Sequence, residues 1–187
     1  MDLDTPRLRV RELVRDDLDA VLAVHGSESD AGELARWLEW TILGYEQHRR
    51  LYQPPYAEYG VVLKGSGELV GLVGLVPSLM PFGLLPSYAA GHPYNEAEMG
   101  LFWAVADAHR RNGYAAEAGA ALVDAAFTRW HVRRIVATTE HTNTASMGVM
   151  RRLGMRIDRN PSAAPFFLQV VGVLENPHRA PDWPVEP

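Results

Sequence analysis

The order of apolar and polar positions along the chain predicts most of its regular elements. Leu8-Arg9-Val10-Arg11 alternates apolar and charged residues, the pattern of a strand with one buried face. Asp16 or Asp17 then stands where a helix cap is needed, ahead of Leu18, Val21, Leu22 and Val24 on one apolar side. A second helical stretch spans Ala31–Arg50 and carries Trp37, Leu38, Trp40 and Ile42. Two apolar runs, residues 60–63 and 69–75, flank the turn Lys64-Gly65-Ser66-Gly67 and predict a hairpin. Gly71 and Gly74 weaken the second run as a strand but allow close packing there.

Residues 77–95 hold four prolines and two glycines among apolar residues, so no regular element is expected there. Leu79, Met80, Phe82, Leu84 and Leu85 make this segment a lid, a dimer contact or a loop packed on the core. A strand follows at residues 98–105 and a helix at 114–130, with Ala115, Ala118, Leu122, Ala126 and Trp130 on one face. Arg134–Thr139 reads as a buried strand. Residues 144–153 read as a helix capped by Asn143 and stopped by Gly154. Residues 155–158 and 166–174 complete the strands. Strands and helices interleave, which implies an α/β (α+β) protein on a mixed sheet. Residues 1–175 form one domain in this reading, and 176–187, with four prolines, form a tail.

Composition narrows the chemistry. The chain has 187 residues and no cysteine, which rules out disulfides, thiolate nucleophiles and Cys-ligated zinc or iron–sulfur centres. Seven scattered histidines show no metal-ligand spacing, so no metal is expected. A net charge of −5 argues against general nucleic-acid binding. No run is apolar for long enough to span a bilayer, so no membrane partner is expected. The acidic N-terminus lacks a signal-peptide pattern, and the default expectation is cytoplasmic. Charge is uneven, because residues 101–160 hold nine arginines and five acidic residues. That positive segment suits a phosphorylated ligand or is a set of solvated faces.

Within it lies Arg110-Arg111-Asn112-Gly113-Tyr114-Ala115, between an apolar strand and an Ala-rich helix. A tight turn at a helix N-terminus aims several backbone N–H groups at one point, which suits a phosphate or pyrophosphate. The Gly-Lys-Ser/Thr of a Walker loop is missing, and only one of the three dinucleotide-fingerprint glycines is present.

The Arg-x-x-Gly-x-Ala pattern resembles the acetyl-CoA pyrophosphate loop of the GNAT N-acetyltransferases. Glu98-Met99-Gly100-Leu101-Phe102-Trp103, Thr142-Asn143-Thr144-Ala145-Ser146, Leu153-Gly154-Met155 and Thr5-Pro6-Arg7-Leu8-Arg9-Val10-Arg11 with Asp16-Asp17 are similar to its ribosomal-protein alanine acetyltransferase branch. The resemblance runs from Leu3 to about Glu175 and is thinnest at residues 31–59 and 77–95. It implies a GNAT fold: a mixed, mostly antiparallel sheet of about six to seven strands, splayed in the middle and flanked by about four helices. Acetyl-CoA is the implied cofactor, with coenzyme A as product. N–H groups of Arg111, Asn112, Gly113, Tyr114, Ala115 and Ala116, beside Arg110, would hold the pyrophosphate. A strand edge at Phe102, Trp103, Ala104 and Val105 would pair with the pantetheine amides. Asn143 matches a family contact to the cofactor and also fits simple capping.

Acyl transfer to an amine requires a base, because an amine near its ordinary pKa of about 10 is mostly protonated at neutral pH. Glu98 is the candidate the resemblance supports, with Glu96 on the same face, His92 and His141 as weaker choices, and a solvated strand-start charge as the alternative. A backbone N–H near Phe102 or Trp103 would stabilise the oxyanion. Many GNAT enzymes carry a Tyr acid on the helix after the Asn. This chain has none between Asn143 and Gly154, and Ser146 stands there to orient or protonate the leaving sulfur, or as a plain first-turn serine. Trp37, Trp40, Tyr45, Tyr52, Tyr56 and Tyr59 line an amine pocket or fill the core. The expected partner is a primary-amine acceptor, a protein N-terminus or small molecule, and by family analogy a homodimer. A non-catalytic acyl-CoA sensor and a transferase of longer acyl chains are the competing readings.

Overall fold

The computed structural model of the protein describes residues 1–26, 29–85, 88, 91–161 and 164–178. Eight strands form one sheet: β1 (Asp2–Asp4), β2 (Leu8–Arg11), β3 (Glu58–Leu63), β4 (Leu69–Met80), β5 (Glu96–Val105), β6 (Arg134–Thr139), β7 (Arg156–Arg159) and β8 (Val170–Glu175). Their order across the sheet is β1-β2-β3-β4-β5-β6-β8-β7. Only β5 and β6 run parallel; every other neighbouring pair is antiparallel. Among the described residues four α-helices flank it: α1 (Leu18–His25), α2 (Ala31–Arg50), α3 (Tyr114–Thr128) and α4 (Thr144–Arg152). The strand beyond the expected six to seven is β1, whose two exposed Asp residues flank a buried Leu3.

The apolar positions sort the sheet into two faces. Leu8, Val10, Val61, Val73, Leu101 and Ile135 pack under α3 and α4, against Ala118, Leu122, Ala126, Met147 and Met150. The opposite face carries two separate lobes. One joins Leu13, Val62 and Leu72 to Val21 and Val24 of α1 and Leu38 of α2. The other joins Val136, Val171 and Val173 to Phe82, Leu85 and Leu168.

Residues 77–95 depart from the irregular loop expected for them. β4 continues through Pro77 to Met80, and Pro77, Ser78, Leu79 and Met80 pair with Met99, Glu98, Ala97 and Glu96. Pro77 is tolerated because β4 loses its β3 neighbour after Gly74, so the missing N–H falls on an edge. Beyond Met80, Phe82 and Leu85 are fully buried, while Leu79 and Leu84 are exposed. This part of the segment is packed on the core through the second lobe; residues 86, 87, 89 and 90 lie outside the described residues.

Other boundaries shift for local reasons. Asp17 precedes α1, but its carboxylate accepts the Val14 N–H and an ion pair from Arg11 and leaves the helix N–H groups alone. Residues 166–168 form a 3-10 turn ahead of β8. Asn176 is tied down through its N–H to Arg133 O and its amide to Phe127 O and Val132 O. The rest of the expected tail, residues 179–187, lies outside the described residues.

Close approach of β4 and β5 requires Gly71. A Cβ there would stand 2.5 Å from the Ala104 carbonyl oxygen and 3.4 Å from Val105 Cα. Gly71→Ala should therefore destabilise the protein by on the order of 2 kcal/mol, read as a lower urea midpoint at unchanged m-value.

Candidate active site

The site begins where two parallel strands part. β5 and β6 pair at Met99–Ile135 and Gly100–Val136. Beyond that point β5 runs on through Leu101–Val105 paired with β4 alone, while β6 runs on paired with β8. The β6-facing edge of Phe102, Trp103, Ala104 and Val105 thus presents backbone groups without a sheet partner among the described residues. This is the splay expected from the resemblance.

The open end of β5 leads into a 3-10 turn at Asp107–His109 and then into α3. Two left-handed residues shape the turn. Arg111 takes φ 65° and Gly113 φ 83°, the left-handed region that favours glycine. The first hydrogen bond of α3 runs from Glu117 N–H to Gly113 O, so the N–H groups of Tyr114, Ala115 and Ala116 have no acceptor inside the helix. Those groups, with the helix dipole behind them, converge at one point, a geometry that suits an anion. Arg110 flanks the cradle and is itself held by Asp107 at 2.7 Å. Asn112 folds its amide back onto His109 O and Arg110 O.

A brace from the N-terminal strands holds this turn, and sequence reasoning passed over it. Arg7 donates to Asn112 O, pairs with Glu117 at 2.6 Å and lies over the Tyr114 ring at 4.8 Å. Thr5 Oγ1 donates to the same Glu117 carboxylate at 2.5 Å. Burial alone would raise the Glu117 pKa, but hydrogen bonds from Thr5 and Arg7 outweigh it and hold the carboxyl below its ordinary range. The signal was present in Thr5-Pro6-Arg7, but its partner lies 110 residues on.

α4 starts after β6, so its N-terminus faces the same opening. Asn143 caps it, its Oδ1 accepting the Ser146 N–H at 3.0 Å, which leaves the Asn143 amide nitrogen as a free donor type. Ser146 is half-buried on the first turn.

Glu98 sits at the closed end of the splay, in a setting that sequence alone did not foresee. Both of its oxygens are taken by Arg134, Oε1 by NH2 and Oε2 by Nε at 3.1 Å. The carboxylate is 9% exposed, and the Arg134 guanidinium lies 4.1 Å over the Tyr88 ring. To act as the expected base, Glu98 would have to release a buried cation. The pair ties β5 to β6. Glu96 and His92, 3.8 Å apart, lie beyond it. His141 donates its backbone N–H to Gln169.

The aromatic segment divides. Tyr45 and Tyr59 are buried and stacked at 5.3 Å, and Trp37 packs on the α1 lobe, whereas Trp40 and Tyr52 are exposed. Among the described residues there is no group of three or more His, Asp or Glu arranged to hold a metal ion. No described helix is long and apolar enough to cross a membrane.

A family model described as an acetyltransferase (GNAT) domain matches residues 7–156. The chain belongs to the GNAT acetyltransferase family. An uncharacterized N-acetyltransferase, YjdG of Bacillus subtilis (strain 168), is 27% identical over 110 residues, a match that spans 59% of this chain and 57% of that protein. A GNAT-family acetyltransferase from Bacillus anthracis has the same fold, with a TM-score of 0.69 at 18% identity over 95% of this chain and all of that one. So does RimL, a ribosomal L7/L12 α-N-protein acetyltransferase solved with coenzyme A, with a TM-score of 0.63 at 14% identity over 92% of this chain and 96% of that one. At those identities the likeness is one of fold.

One carboxylate of the GNAT domain stands out by its environment. Glu58 on β3 is half-buried, and burial pushes its pKa up to about 7 from an ordinary value near 4.5. Between those values the folded chain keeps a proton that the unfolded chain releases, so stability falls as pH rises and is lowest above 7. Gln cannot ionise. Glu58→Gln should leave the melting temperature nearly unchanged at pH 5 and raise it by a few degrees at pH 8.5, a gain on the order of 1–2 kcal/mol.

Proposed function

We propose that this GNAT protein is an acetyl-CoA-dependent N-acetyltransferase that moves the acetyl group to a primary amine by direct attack on the thioester. The acceptor class is a protein N-terminus or a small-molecule amine. The observation that carries this reading is the open β5 edge from Phe102 to Val105, running into a turn where N–H groups converge under a left-handed Gly113.

The residues present fit the group. N–H groups from Arg111 to Ala116 would hold the pyrophosphate, and the β5 edge would pair with the pantetheine amides as a neighbouring strand does. Acetyl-CoA supplies an acyl group activated as a thioester. A backbone N–H at Phe102 or Trp103 is the donor for the oxyanion, an effect worth about 3 kcal/mol of barrier when preorganised. Ser146 and the Asn143 amide lie at the opposite wall. A thiol with a pKa of about 8.5 leaves without a strong acid, so Ser146 needs only to orient the sulfur. Glu98 contributes by fixing β6 against β5 through Arg134. The reading carries with it a cytoplasmic location and, by family analogy, a homodimer.

The absence of a Tyr between Asn143 and Gly154 and the engaged state of Glu98 favour one rival, an acyl-CoA sensor without turnover. Binding and thiol release separate the two. Acetyl-CoA at a hundredfold excess over its dissociation constant should stabilise the protein by about 2.7 kcal/mol. For a domain of this size that is a rise in Tm of roughly 5–10 °C, with no rise from ATP or NAD. Gly113→Ala should shrink the acetyl-CoA shift, since Ala resists the φ of 83° that forms the cradle. No shift with folded wild-type protein would remove the cofactor reading. A shift without thiol release across an amine panel would favour the sensor.

A further inference from the structure

Glu58 stands opposite Gly74 of β4, which stands opposite Phe102 of β5. These three positions form one row across neighbouring strands. Side chains alternate along a strand, so Glu58 shares a face with Gly60 and Val62, the face that packs on Leu13 and Leu72, while Tyr59 and Val61 face α3. The same alternation puts Glu98, Gly100 and Phe102 of β5 on the Glu58 face.

Between the two apolar lobes of that face, Gly74 and Gly100 have no side chain, beside Val76, Ser78 and Phe102 at neighbouring positions. A Cβ at Gly100 would meet the Ser78 hydroxyl at 2.6 Å. A Cβ at Gly74 would meet Ala57 O at 2.6 Å, Glu58 Cα at 2.8 Å and Glu58 Cγ at 2.9 Å, so the glycine lets β3 and β4 approach closely and leaves the Glu58 side chain room beside β4.

We propose that Glu58 is the proton acceptor for the incoming amine, which approaches the acyl group over Gly74 and Gly100 from the face opposite α3 and α4. This assignment rests on the acetyltransferase reading above. Two strand spacings put Glu58 Cα about 10 Å from Phe102 Cα, and an extended Glu side chain covers about half of that. The remainder fits the amine itself or one bridging water.

The electrostatic surroundings separate Glu58 from Glu98. Glu98 is neutralised by Arg134, whereas Glu58 is governed by burial with no cation offsetting it. From α2, Tyr45 is the titratable group that feels the Glu58 charge, and its hydroxyl donates to the Glu58 backbone oxygen. The facing positions on β4 and β5, Gly74 and Phe102, do not titrate. A carboxyl poised near neutrality is well matched to taking a proton at neutral pH.

In the step, an ammonium N–H bond breaks and its proton passes to the Glu58 carboxylate. The freed nitrogen lone pair forms the C–N bond at the thioester carbonyl. As the tetrahedral adduct collapses, the C–S bond breaks with its electron pair on sulfur. The second proton of the nitrogen goes to that thiolate, giving amide and coenzyme A thiol, and Glu58 returns its proton to solvent.

The test uses wild-type protein, Glu58→Gln and Glu58→Asp, with an alanine-initiated peptide and a polyamine as acceptors. Acetyl-CoA binding is read as the Tm shift, and transfer as thiol release from pH 6 to 10. Glu58→Gln should keep the acetyl-CoA shift and lose about 100-fold in kcat/KM at pH 7. It should recover toward wild type near pH 10, where the amine sheds its own proton. Glu58→Asp should fall between. Its stability at pH 8.5, raised in Glu58→Gln, reports folding apart from activity. A Glu58→Gln protein within threefold of wild type at pH 7, with the wild-type pH profile, would overturn the assignment. Wild-type protein without an acetyl-CoA shift or thiol release would instead end the acetyltransferase reading, and this assignment with it.

Discussion

The narrow junction of β5 and β6 governs the molecule. Two strands that run parallel and pair at only two positions cannot stay together by their ladder alone. The clamp comes from side chains: Glu98 on β5 and Arg134 on β6, one row before the Met99–Ile135 pair, with the Tyr88 ring under the guanidinium. Desolvating both charges is costly, and the two-point geometry with its aromatic platform is what offsets it. The reward is positional. With the strands pinned at one end, they diverge at the other, where α3 and α4 both begin. Two helix N-termini and an open strand edge thereby face one gap. Backbone groups in such a gap must be met by water or by a ligand.

The turn ahead of α3 depends on a second constraint. Arg111 and Gly113 both take left-handed φ, so the turn is not held by propensity alone. Arg7 reaches in from the start of β2 and ties Asn112 O, Glu117 and Tyr114 together. That brace links the outer strands to the first turn of α3. It also places Glu117, an acid in the first turn, where the helix dipole favours it.

Elements with local signatures were legible in the chain. The bounds of α2, the hairpin of β3 and β4, the Asn143 cap and the Gly154 stop follow from spacing, caps and turn residues within a few positions of one another. The Arg-x-x-Gly-x-Ala turn was legible for the same reason. What escaped depends on partners far away. Pro77 reads as a breaker unless β4 is known to be an edge there. Asp2-Leu3-Asp4 is too short and acidic to announce β1 without β2 beside it. Glu98 looked like an available carboxylate because Arg134 lies 36 residues on. Glu58 carried no signal at all, since its meaning comes from the register with Gly74 and from burial.

Glu58 and Glu98 show how one sheet face gives two like residues opposite tasks. Both are acids on the same side of the sheet, Glu98 with little exposure and Glu58 half-buried. Glu98 meets a guanidinium with both oxygens, so its charge ties β5 to β6. Glu58 meets a glycine, so its charge is left uncompensated and its affinity for a proton rises. An uncompensated buried carboxylate lowers stability above neutral pH, and a fold selected for stability alone would carry Gln or an apolar residue there. Gly74 has its own reason in packing, because a Cβ there would stand 2.6 Å from the Ala57 carbonyl oxygen. Glu58 has none, and a carboxylate kept at a cost in stability, in the row that crosses β4 to β5, is the pattern expected where chemistry rather than packing sets the residue.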